Sequence, residues 1–251
     1  MNDLAKSPKN PAYHALADMY ESLMDVDYDR WANYIVAAIR ELSPGNTGAD
    51  VGCGSGAFTR RFRRAGFDVT GFDVSEEMLS VAMKKAREEG LNVTFVRQDA
   101  RLFKPLKKPD FITALTDLVN YLDPEEAAKT FKKFASALPR GGLLIFDIST
   151  EYKIKNIIAD NMFGEDGEDF SYLWFNRPFD GGVEMDISTF RRTDGGLYEK
   201  SEERHVQYIH TFDSVCSALV GAGFDLVRAE GHLGEEITET TERINFFAGK
   251  K

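Results

Sequence analysis

The stretch Asp50-Val51-Gly52-Cys53-Gly54-Ser55-Gly56 (DVGCGSG) places three glycines at alternate positions. A short apolar run precedes it, and a segment typical of a helix, Ala57 to Ala65, follows it. Because glycine lacks a Cβ atom, such a loop lets another group approach the backbone closely. The loop also satisfies the loose dinucleotide-binding pattern G-x-G-x-x-[GA]. Taken alone, the match is equally compatible with a plain structural turn between a strand and a helix.

The composition bounds the class of protein. The 251 residues carry a net charge of −10, and 43% of them are hydrophobic. This supports a folded core and argues against a protein that coats nucleic acid or an anionic membrane. Two cysteines, Cys53 and Cys216, form no disulfide framework and indicate a reducing compartment. With no signal peptide or membrane segment, we expect a cytoplasmic protein without membrane contact or metal.

Strands and helices alternate through the first 150 residues. Strand-like segments follow the strand that ends at the glycine loop, at 67–73, 92–97, 111–116 and 143–148. This alternation predicts the α/β class, with a parallel sheet covered by helices on both faces. Two further helices, Pro11 to about Leu23 and Tyr28 to Leu42, are predicted before the first strand and would cap the domain.

The pattern changes after the fifth strand. Glu165 to Asp169 is predicted as an acidic loop, and aromatic-rich alternating segments follow it at 172–175, 183–191 and 197–208. Asp-Gly-Gly turns separate these segments, which is a hairpin signal. We therefore expect an antiparallel β insertion at 163–209 that forms a lid or a dimer surface. The main domain would comprise 1–162 and 210–251, ending in a helix and two strands.

Three carboxylates follow neighbouring strands of the predicted sheet. Asp50 lies inside the first strand, Asp73 ends the second, and Asp99 follows the third. The carboxyl ends of parallel strands are where open sheets of this kind bind ligands. A buried carboxylate such as Asp50 needs a cation or several N–H donors. Asp73 can take both hydroxyls of a ribose, and Asp99 can meet an exocyclic amine.

From about Tyr28 to Ala248, the sequence resembles the class I S-adenosylmethionine-dependent methyltransferases. Four motifs carry the resemblance in the same order and spacing, namely DVGCGSG at 50–56, FDVS at 72–75 with Met78-Leu79, Gln98-Asp99-Ala100, and LPRGG at 138–142. The resemblance implies a Rossmann-like seven-stranded sheet of order 3-2-1-4-5-7-6 with the last strand antiparallel. It also implies S-adenosyl-L-methionine as the cofactor.

The resemblance further implies a set of cofactor-binding residues. These are Asp50, Gly52, Cys53, Gly54, Ser55, Gly56, Asp73, Val74, Met78, Asp99, Ala100, Thr116, Asp117 and Tyr20. The glycine loop and the following helix N-terminus would hold the methionyl part, with Asp50 near its ammonium and Tyr20 near its carboxylate. Asp73 would hold the ribose. Asp99 and Ala100 would bind the edge of the adenine, with Val74 and Met78 on its faces.

Several of these residues have an alternative, structural interpretation. Met78, at helical spacing, fits a core position equally well, and Tyr20 fits a helix-packing aromatic. Cys53 is interpreted as a small residue of the turn, because nothing in the sequence would make it a thiolate.

The sequence does not identify a catalytic residue. Methyl transfer from a sulfonium is an in-line displacement, for which the protein mainly supplies alignment and a water-poor site. A base is needed only when the nucleophile arrives protonated. The candidates are Asp117, Tyr121, His205 and His210. Each has a structural alternative, as a helix-capping loop residue or as a buried or surface histidine.

We therefore expect methyl transfer to a small-molecule acceptor, with N-methylation favoured, in a chain that can form a homodimer. A tRNA base methyltransferase is one alternative, which the net charge disfavours. The arginines after the glycine loop, at 60, 61, 63 and 64, are predicted to face solvent. A nicotinamide-dependent oxidoreductase would leave Asp50 and Asp99 without a role. A non-catalytic S-adenosylmethionine-binding module remains the third alternative.

Overall fold

The computed structural model describes Glu21 and residues 26–251. Tyr20, and the helix predicted at Pro11 to Leu23 apart from Glu21, lie outside the described residues. Within the described part of the chain, every helix is too short or too polar to cross a lipid bilayer.

The described strands form two sheets. The strands are β1 Thr47–Val51, β2 Asp68–Asp73, β3 Thr94–Arg97, β4 Phe111–Ala114, β5 Leu143–Ser149, β6 Met162–Asp166, β7 Phe170–Phe179, β8 Gly182–Arg192, β9 Tyr198–Tyr208, β10 Phe224–Gly231 and β11 Arg243–Lys250. The helices are α1 Tyr28–Leu42, α2 Ala57–Arg64, α3 Glu76–Glu88, α4 Pro124–Ala137, α5 Glu151–Lys153, which continues as a π-helical turn Ile154–Ile158, and α6 Phe212–Ala222.

The central sheet has the order β10-β11-β5-β4-β1-β2-β3. Strands β1 to β5 pair in parallel, and β11 runs antiparallel to both of its neighbours. This confirms the predicted seven-stranded order and the antiparallel strand near the sheet edge. Because the five parallel strands point the same way, their carboxyl ends share one edge, and the segments that follow them meet there.

Helix starts follow the capping chemistry of the sequence. Ser75 precedes α3, and its hydroxyl accepts a hydrogen bond from the Met78 amide. Asp123 and Glu126 form a capping box at α4, with Pro124 in the first turn. The two sheet faces are covered by separate apolar clusters, one containing Phe146 and Phe246 with stacked rings 5.0 Å apart.

The second sheet is a four-stranded antiparallel meander, β6-β7-β8-β9. The acidic loop predicted at Glu165 to Asp169 is therefore wrong for its first two residues, which end β6. Four of the five side chains of β6 are exposed, so the strand shows no apolar alternation and its pairing with β7 is carried by the backbone. The antiparallel insertion predicted after the fifth strand is confirmed, with one strand more than expected.

Two smaller expectations are also wrong. Arg60, predicted to face solvent, is buried and pairs with Glu21 and Glu89. The fourth strand, predicted to reach Thr116, ends at Ala114 because Thr116 and the next residue adopt left-handed backbone angles that a strand cannot contain.

Gly48 sets how closely β1 and β4 approach. It pairs with Phe111, and a Cβ atom on Gly48 would overlap the Phe111 ring. We predict that Gly48→Ala lowers the free energy of unfolding by about 1–3 kcal/mol through overpacking. Gly221 in α6 has open space around it, so Gly221→Ala is the matched control and should raise stability by up to about 1 kcal/mol. Urea denaturation of both variants measures this, and equal effects would contradict the packing argument.

Candidate functional site

A cavity of about 400 Å³ opens at the carboxyl edge of the parallel strands. Its wall is built from the glycine loop after β1, the ends of β2 and β3, and the turn after β4. The wall residues that the sequence predicted are Asp50, Gly52, Cys53, Gly54, Ser55, Asp73, Val74, Met78, Asp99, Ala100, Thr116 and Tyr121. Gly56, Asp117, His205 and His210 are not part of this wall.

The other wall residues were not predicted to bind a ligand, although Ser75 and Gln98 lie in two of the motifs that carry the resemblance. They are Tyr28, Ala57, Phe58, Ser75, Glu76, Glu77, Arg97, Gln98, Arg101, Leu115, Leu118 and Leu122. Their apolar members sit at core-like spacing, and their charged members sit on ordinary helix or strand ends. Only the fold distinguishes them from residues that pack elsewhere.

Asp73 holds the glycine loop in place. One of its carboxylate oxygens accepts the Gly54 amide at 2.8 Å, and the other accepts the Ser75 amide at 2.9 Å. Burial raises the pKa of Asp73, while these backbone donors favour its ionised form. The carboxylate therefore links the ends of β1 and β2, and each oxygen keeps a lone pair for a further donor.

Gly54 and Gly56 of the loop have different surroundings. Gly54 has φ +53°, and the nearest neighbour of a Cβ placed on it is the Met78 sulfur at 4.0 Å, so it borders open space. Gly56 has φ +76°, and a Cβ there would come within 3.0 Å of Ala82 and Phe95. Gly56 thus serves helix packing beneath the loop, whereas Gly54 borders the cavity.

Asp50 is buried without a cationic partner among the described residues. Its carboxylate oxygens accept the hydroxyls of Thr59 at 2.5 Å and Thr113 at 2.7 Å. Burial raises the pKa of Asp50 to about 6, and the two hydroxyls partly oppose this shift. Beside it, burial and the charges of Asp73 and Asp50 raise the pKa of the Cys53 thiol, which keeps the thiol protonated and unreactive.

Asp99 is paired within the wall. Both carboxylate oxygens accept from the Arg101 guanidinium at 2.6–3.0 Å, which holds the pKa of Asp99 below its usual range. Arg101 also reaches Glu126 at 2.9 Å. A ligand amine at Asp99 would therefore share this carboxylate with Arg101.

The turn after β4 carries backbone strain. Thr116 and Asp117 have φ of +58° and +53°, in the left-handed region that a β-branched residue rarely occupies. Each such residue costs on the order of 1–3 kcal/mol unless its surroundings enforce it. Here the Asp117 amide donates to Asp147 at 2.9 Å, and Asn120 bridges the Ser149 backbone and the Tyr208 carbonyl. Strain held in this way at a cavity wall is typical of functional sites.

The insertion presents a polar face to this turn. Glu203, His205 and Gln207 alternate along β9, and all three are buried. The Tyr121 hydroxyl lies 3.2 Å from His205 Nδ1, and His205 Nε2 lies 3.1 Å from the Glu203 carboxylate. His205 was predicted as a candidate base from the titration range of histidine, whereas Glu203 and Gln207 were not predicted, although their i, i+2 spacing on one strand was an available signal.

Gln207 joins the same face to Asp117. Its Nε2 donates to the Asp117 carboxylate at 2.9 Å, which fixes the amide orientation because a carboxylate only accepts. Its Oε1 is buried and has no hydrogen-bond partner in the part of the chain that the structure describes. Asp117 also accepts from Ser149 at 3.2 Å and lies 3.9 Å from the Arg243 guanidinium. Asp117 therefore connects Gln207, Ser149 and Arg243 behind the cavity wall.

His210 lies elsewhere. It is buried, its Nε2 lies 2.9 Å from the Leu122 carbonyl, and burial lowers its pKa. It borders a separate polar recess near Thr150 and Thr238 rather than the cavity described above.

The four arginines of α2 are all neutralised by carboxylates. Arg60 pairs with Glu21 and Glu89, and the others pair with Asp29, Asp68 and Glu89. This helix therefore offers no unpaired basic face for a nucleic-acid backbone.

Comparison with known proteins adds an independent line of observation. A family model described as a methyltransferase domain matches residues 49–142. A protein of Geobacillus sp. (strain WCH70), provisionally named a methyltransferase, is 34% identical over 248 residues, covering 95% of this chain and 99% of that protein.

Solved structures share the whole fold. An S-adenosylmethionine-dependent methyltransferase from Clostridium acetobutylicum ATCC 824 superposes with a TM-score of 0.85 at 28% identity, covering 94% of this chain and 96% of that one. The sugar N-methyltransferase KedS8 from Streptoalloteichus sp ATCC 53650 superposes with a TM-score of 0.78 at 19% identity, covering 100% and 99%.

The raised pKa of Asp50 makes a prediction about stability. In the folded chain it is about 6, against about 3.9 when unfolded, so the carboxyl favours folding below pH 4 and this contribution is lost as the pH rises through 6. The Asp50→Asn variant lacks the titrating carboxyl, so its stability does not fall in this way as the pH rises. The unfolding free energy of the variant minus that of the parent should rise by about 2–3 kcal/mol between pH 4 and 7. Urea denaturation across this range measures it, and a constant difference would contradict the assignment.

Proposed function

This chain belongs to the class I S-adenosylmethionine-dependent methyltransferases, and from that premise we propose that it methylates an amine nitrogen of a small molecule. S-adenosylmethionine supplies an electrophilic methyl group on a sulfonium. The chain's own residues bind this cofactor, orient the acceptor, exclude water and accept the proton that the acceptor loses.

The residues at the cavity fit the cofactor. Asp73 has lone pairs directed past the glycine loop and would accept the two ribose hydroxyls. Gly54 leaves backbone open to the methionyl chain, whose carboxylate would lie at the N-terminus of α2. Asp50, a buried carboxylate without a cation, would gain a counter-charge from the ammonium. Val74, exposed in this structure, and Met78 would cover the adenine faces.

The adenine edge would meet the end of β3. Asp99 would accept the exocyclic amine while it remains paired with Arg101, and the Ala100 amide would donate to the ring. Ser55, Cys53 and Gly52 would complete the methionyl wall. Gly56 would act indirectly, through the packing that sets the loop. Thr116 and Asp117 would lie at the boundary between the cofactor and the methyl acceptor. Tyr20, which lies outside the described residues, would contact the methionyl carboxylate.

The observation that carries the nitrogen assignment is the unpaired Gln207 carbonyl. Among the described residues, none donates to the buried Gln207 Oε1, and the neighbouring Asp117 carboxylate also only accepts. These acceptors lie behind the cavity wall at the turn after β4, and an acceptor molecule that reaches them would have to donate, as an amine N–H does. The fold-level neighbour KedS8 acts on a sugar nitrogen, which supports the same class of acceptor.

The insertion, 163–209, would serve as the acceptor-side lid. Its strand β9 contacts the turn after β4 through His205 and Gln207, beside the cavity wall. A lid that consists of paired strands beside the cavity would suit a small-molecule acceptor better than a folded tRNA. The paired arginines of α2 and the net charge of −10 support the same choice. A nicotinamide-dependent oxidoreductase is set aside by the family membership.

Asp73 provides the first test. Asp73→Asn places an amide where Gly54 and Ser75 both donate and weakens the acceptance of ribose hydroxyls, so S-adenosylhomocysteine should lose at least 10-fold in affinity, or about 1.4 kcal/mol. Asp68→Asn, at the exposed far end of the same strand, is the matched control and should bind as the parent does. Calorimetric titration measures both. Unchanged affinity in Asp73→Asn would remove Asp73 from the site.

The acceptor class is tested with pairs that differ in one atom. Methyl transfer from tritiated S-adenosylmethionine is measured with glucosamine against glucose and with ethanolamine against ethylene glycol. We expect label to enter the amine of at least one pair and not its hydroxyl partner. Label in the hydroxyl partner would overturn the nitrogen assignment. Tight cofactor binding without transfer to any compound would favour a non-catalytic module.

A further inference from the structure

The inner face of β9 is unusual for a strand that packs against the rest of the protein. On the neighbouring strand β8, the buried positions opposite this face, Val183, Met185 and Ile187, are apolar, and Thr189 is the next buried position along that strand. On β9, the buried positions are Glu203, His205 and Gln207. Burying these groups costs several kcal/mol unless each is hydrogen-bonded, so apolar residues would serve packing better. The polar face indicates a task other than holding the sheet together.

The contacts of this face define a chain of hydrogen bonds. The Glu203 carboxylate, with a fully buried side chain, lies 3.1 Å from His205 Nε2. His205 Nδ1 lies 3.2 Å from the hydroxyl of Tyr121, and Tyr121 lines the cofactor cavity. A carboxylate accepts only, so it selects the imidazole tautomer that carries its proton on Nε2. Nδ1 then accepts from the tyrosine hydroxyl, whose oxygen can accept a donor from the cavity.

We propose that Tyr121, His205 and Glu203 form a relay that removes the proton of the methyl acceptor. The proposal rests on the function proposed above. Tyr121, which lines the cofactor cavity, is the catalytic residue of this proposal, and His205 and Glu203 are positioning residues that act through it.

The proposed step combines the methyl transfer with two proton transfers. The lone pair of the acceptor nitrogen forms the new nitrogen–carbon bond, and the electron pair of the breaking carbon–sulfur bond remains on sulfur. The nitrogen then carries a positive charge and gives its proton to the Tyr121 oxygen. At the same time the tyrosine proton passes to His205 Nδ1, and the imidazolium is paired with Glu203 until its proton leaves to water.

Two neighbouring elements, the turn after β4 and strand β8, flank the relay. Asp117 faces it from the turn after β4, held by Gln207, and its carboxylate is already engaged by Gln207 and Ser149. On β8, the residues opposite Glu203 and His205 are Ile187 and Met185, which are uncharged. The relay therefore runs from Tyr121 at the cavity wall into strand β9 of the insertion.

The test uses acceptors that differ only in the proton they must lose. Glucosamine and ethanolamine are compared with their N,N-dimethyl forms, whose tertiary nitrogen has no proton to release on methylation. Tyr121→Phe and His205→Gln should lower kcat on the primary amines by about 100-fold, with a smaller loss for Glu203→Gln. Turnover of the dimethyl forms and affinity for S-adenosylhomocysteine should stay unchanged.

Matched controls lie on the solvent side of the same strand. Glu202→Gln and Tyr198→Phe make the same chemical changes at exposed positions of β9 and should leave all rates unchanged. Equal losses on primary and tertiary amines would show that the three residues only hold the insertion in place. Full activity of Tyr121→Phe or His205→Gln on the primary amines would also overturn the relay.

A readout without turnover separates this proposal from the acceptor assignment. The four histidines, labelled with ¹⁵N, give two ring-nitrogen signals each in the S-adenosylhomocysteine complex, and these are assigned by substitution. We expect His205 to carry its proton on Nε2, and Tyr121→Phe to shift its Nδ1 signal towards that of a nitrogen without a hydrogen bond. A proton on Nδ1 would overturn the relay even if amines are methylated. If no amine is methylated, the acceptor assignment fails while this spectrum still decides the relay.

Discussion

The site depends on one carboxylate that joins two strand ends. Asp73 accepts the backbone amides of Gly54 and Ser75, and thereby ties the loop after β1 to the start of α3. Those bonds hold the loop open at Gly54 and keep an acceptor group at the cavity wall. Because burial disfavours the charge of Asp73 and the amides favour it, the loop and the carboxylate stabilise each other.

A second constraint acts at the other end of the cavity. The turn after β4 holds two residues in left-handed backbone geometry. The hydrogen bond that the Asp117 amide donates to Asp147, and the one that Asn120 accepts from the Ser149 amide, maintain this turn. The insertion then fastens onto this turn with polar rather than apolar side chains. In the proposed function the parallel half of the sheet would recognise the cofactor, and the inserted sheet would reach the acceptor through β9. The two tasks meet at residues 116–121.

The sequence was sufficient for the parts of the molecule that obey local rules. Strand alternation predicted a parallel sheet, and the family resemblance implied its order and half of the cavity wall, because parallel strands bring their carboxyl ends together whatever the loops do. Strand β6 escaped prediction because its pairing is made by backbone and its side chains are exposed. Arg60 escaped because its burial depends on Glu21 and Glu89, which are distant in sequence. Glu203 and Gln207 escaped because their role depends on the packing of β9 against the turn after β4, which the sequence does not show.

A crystal structure of the S-adenosylhomocysteine complex tests the central claim most directly. The account predicts the ribose hydroxyls within hydrogen-bonding distance of both Asp73 oxygens, and the homocysteine chain along Gly54 with its sulfur directed towards Thr116 and Tyr121. Nucleoside density located away from Asp73, for example in the recess beside His210, would contradict the account at its foundation.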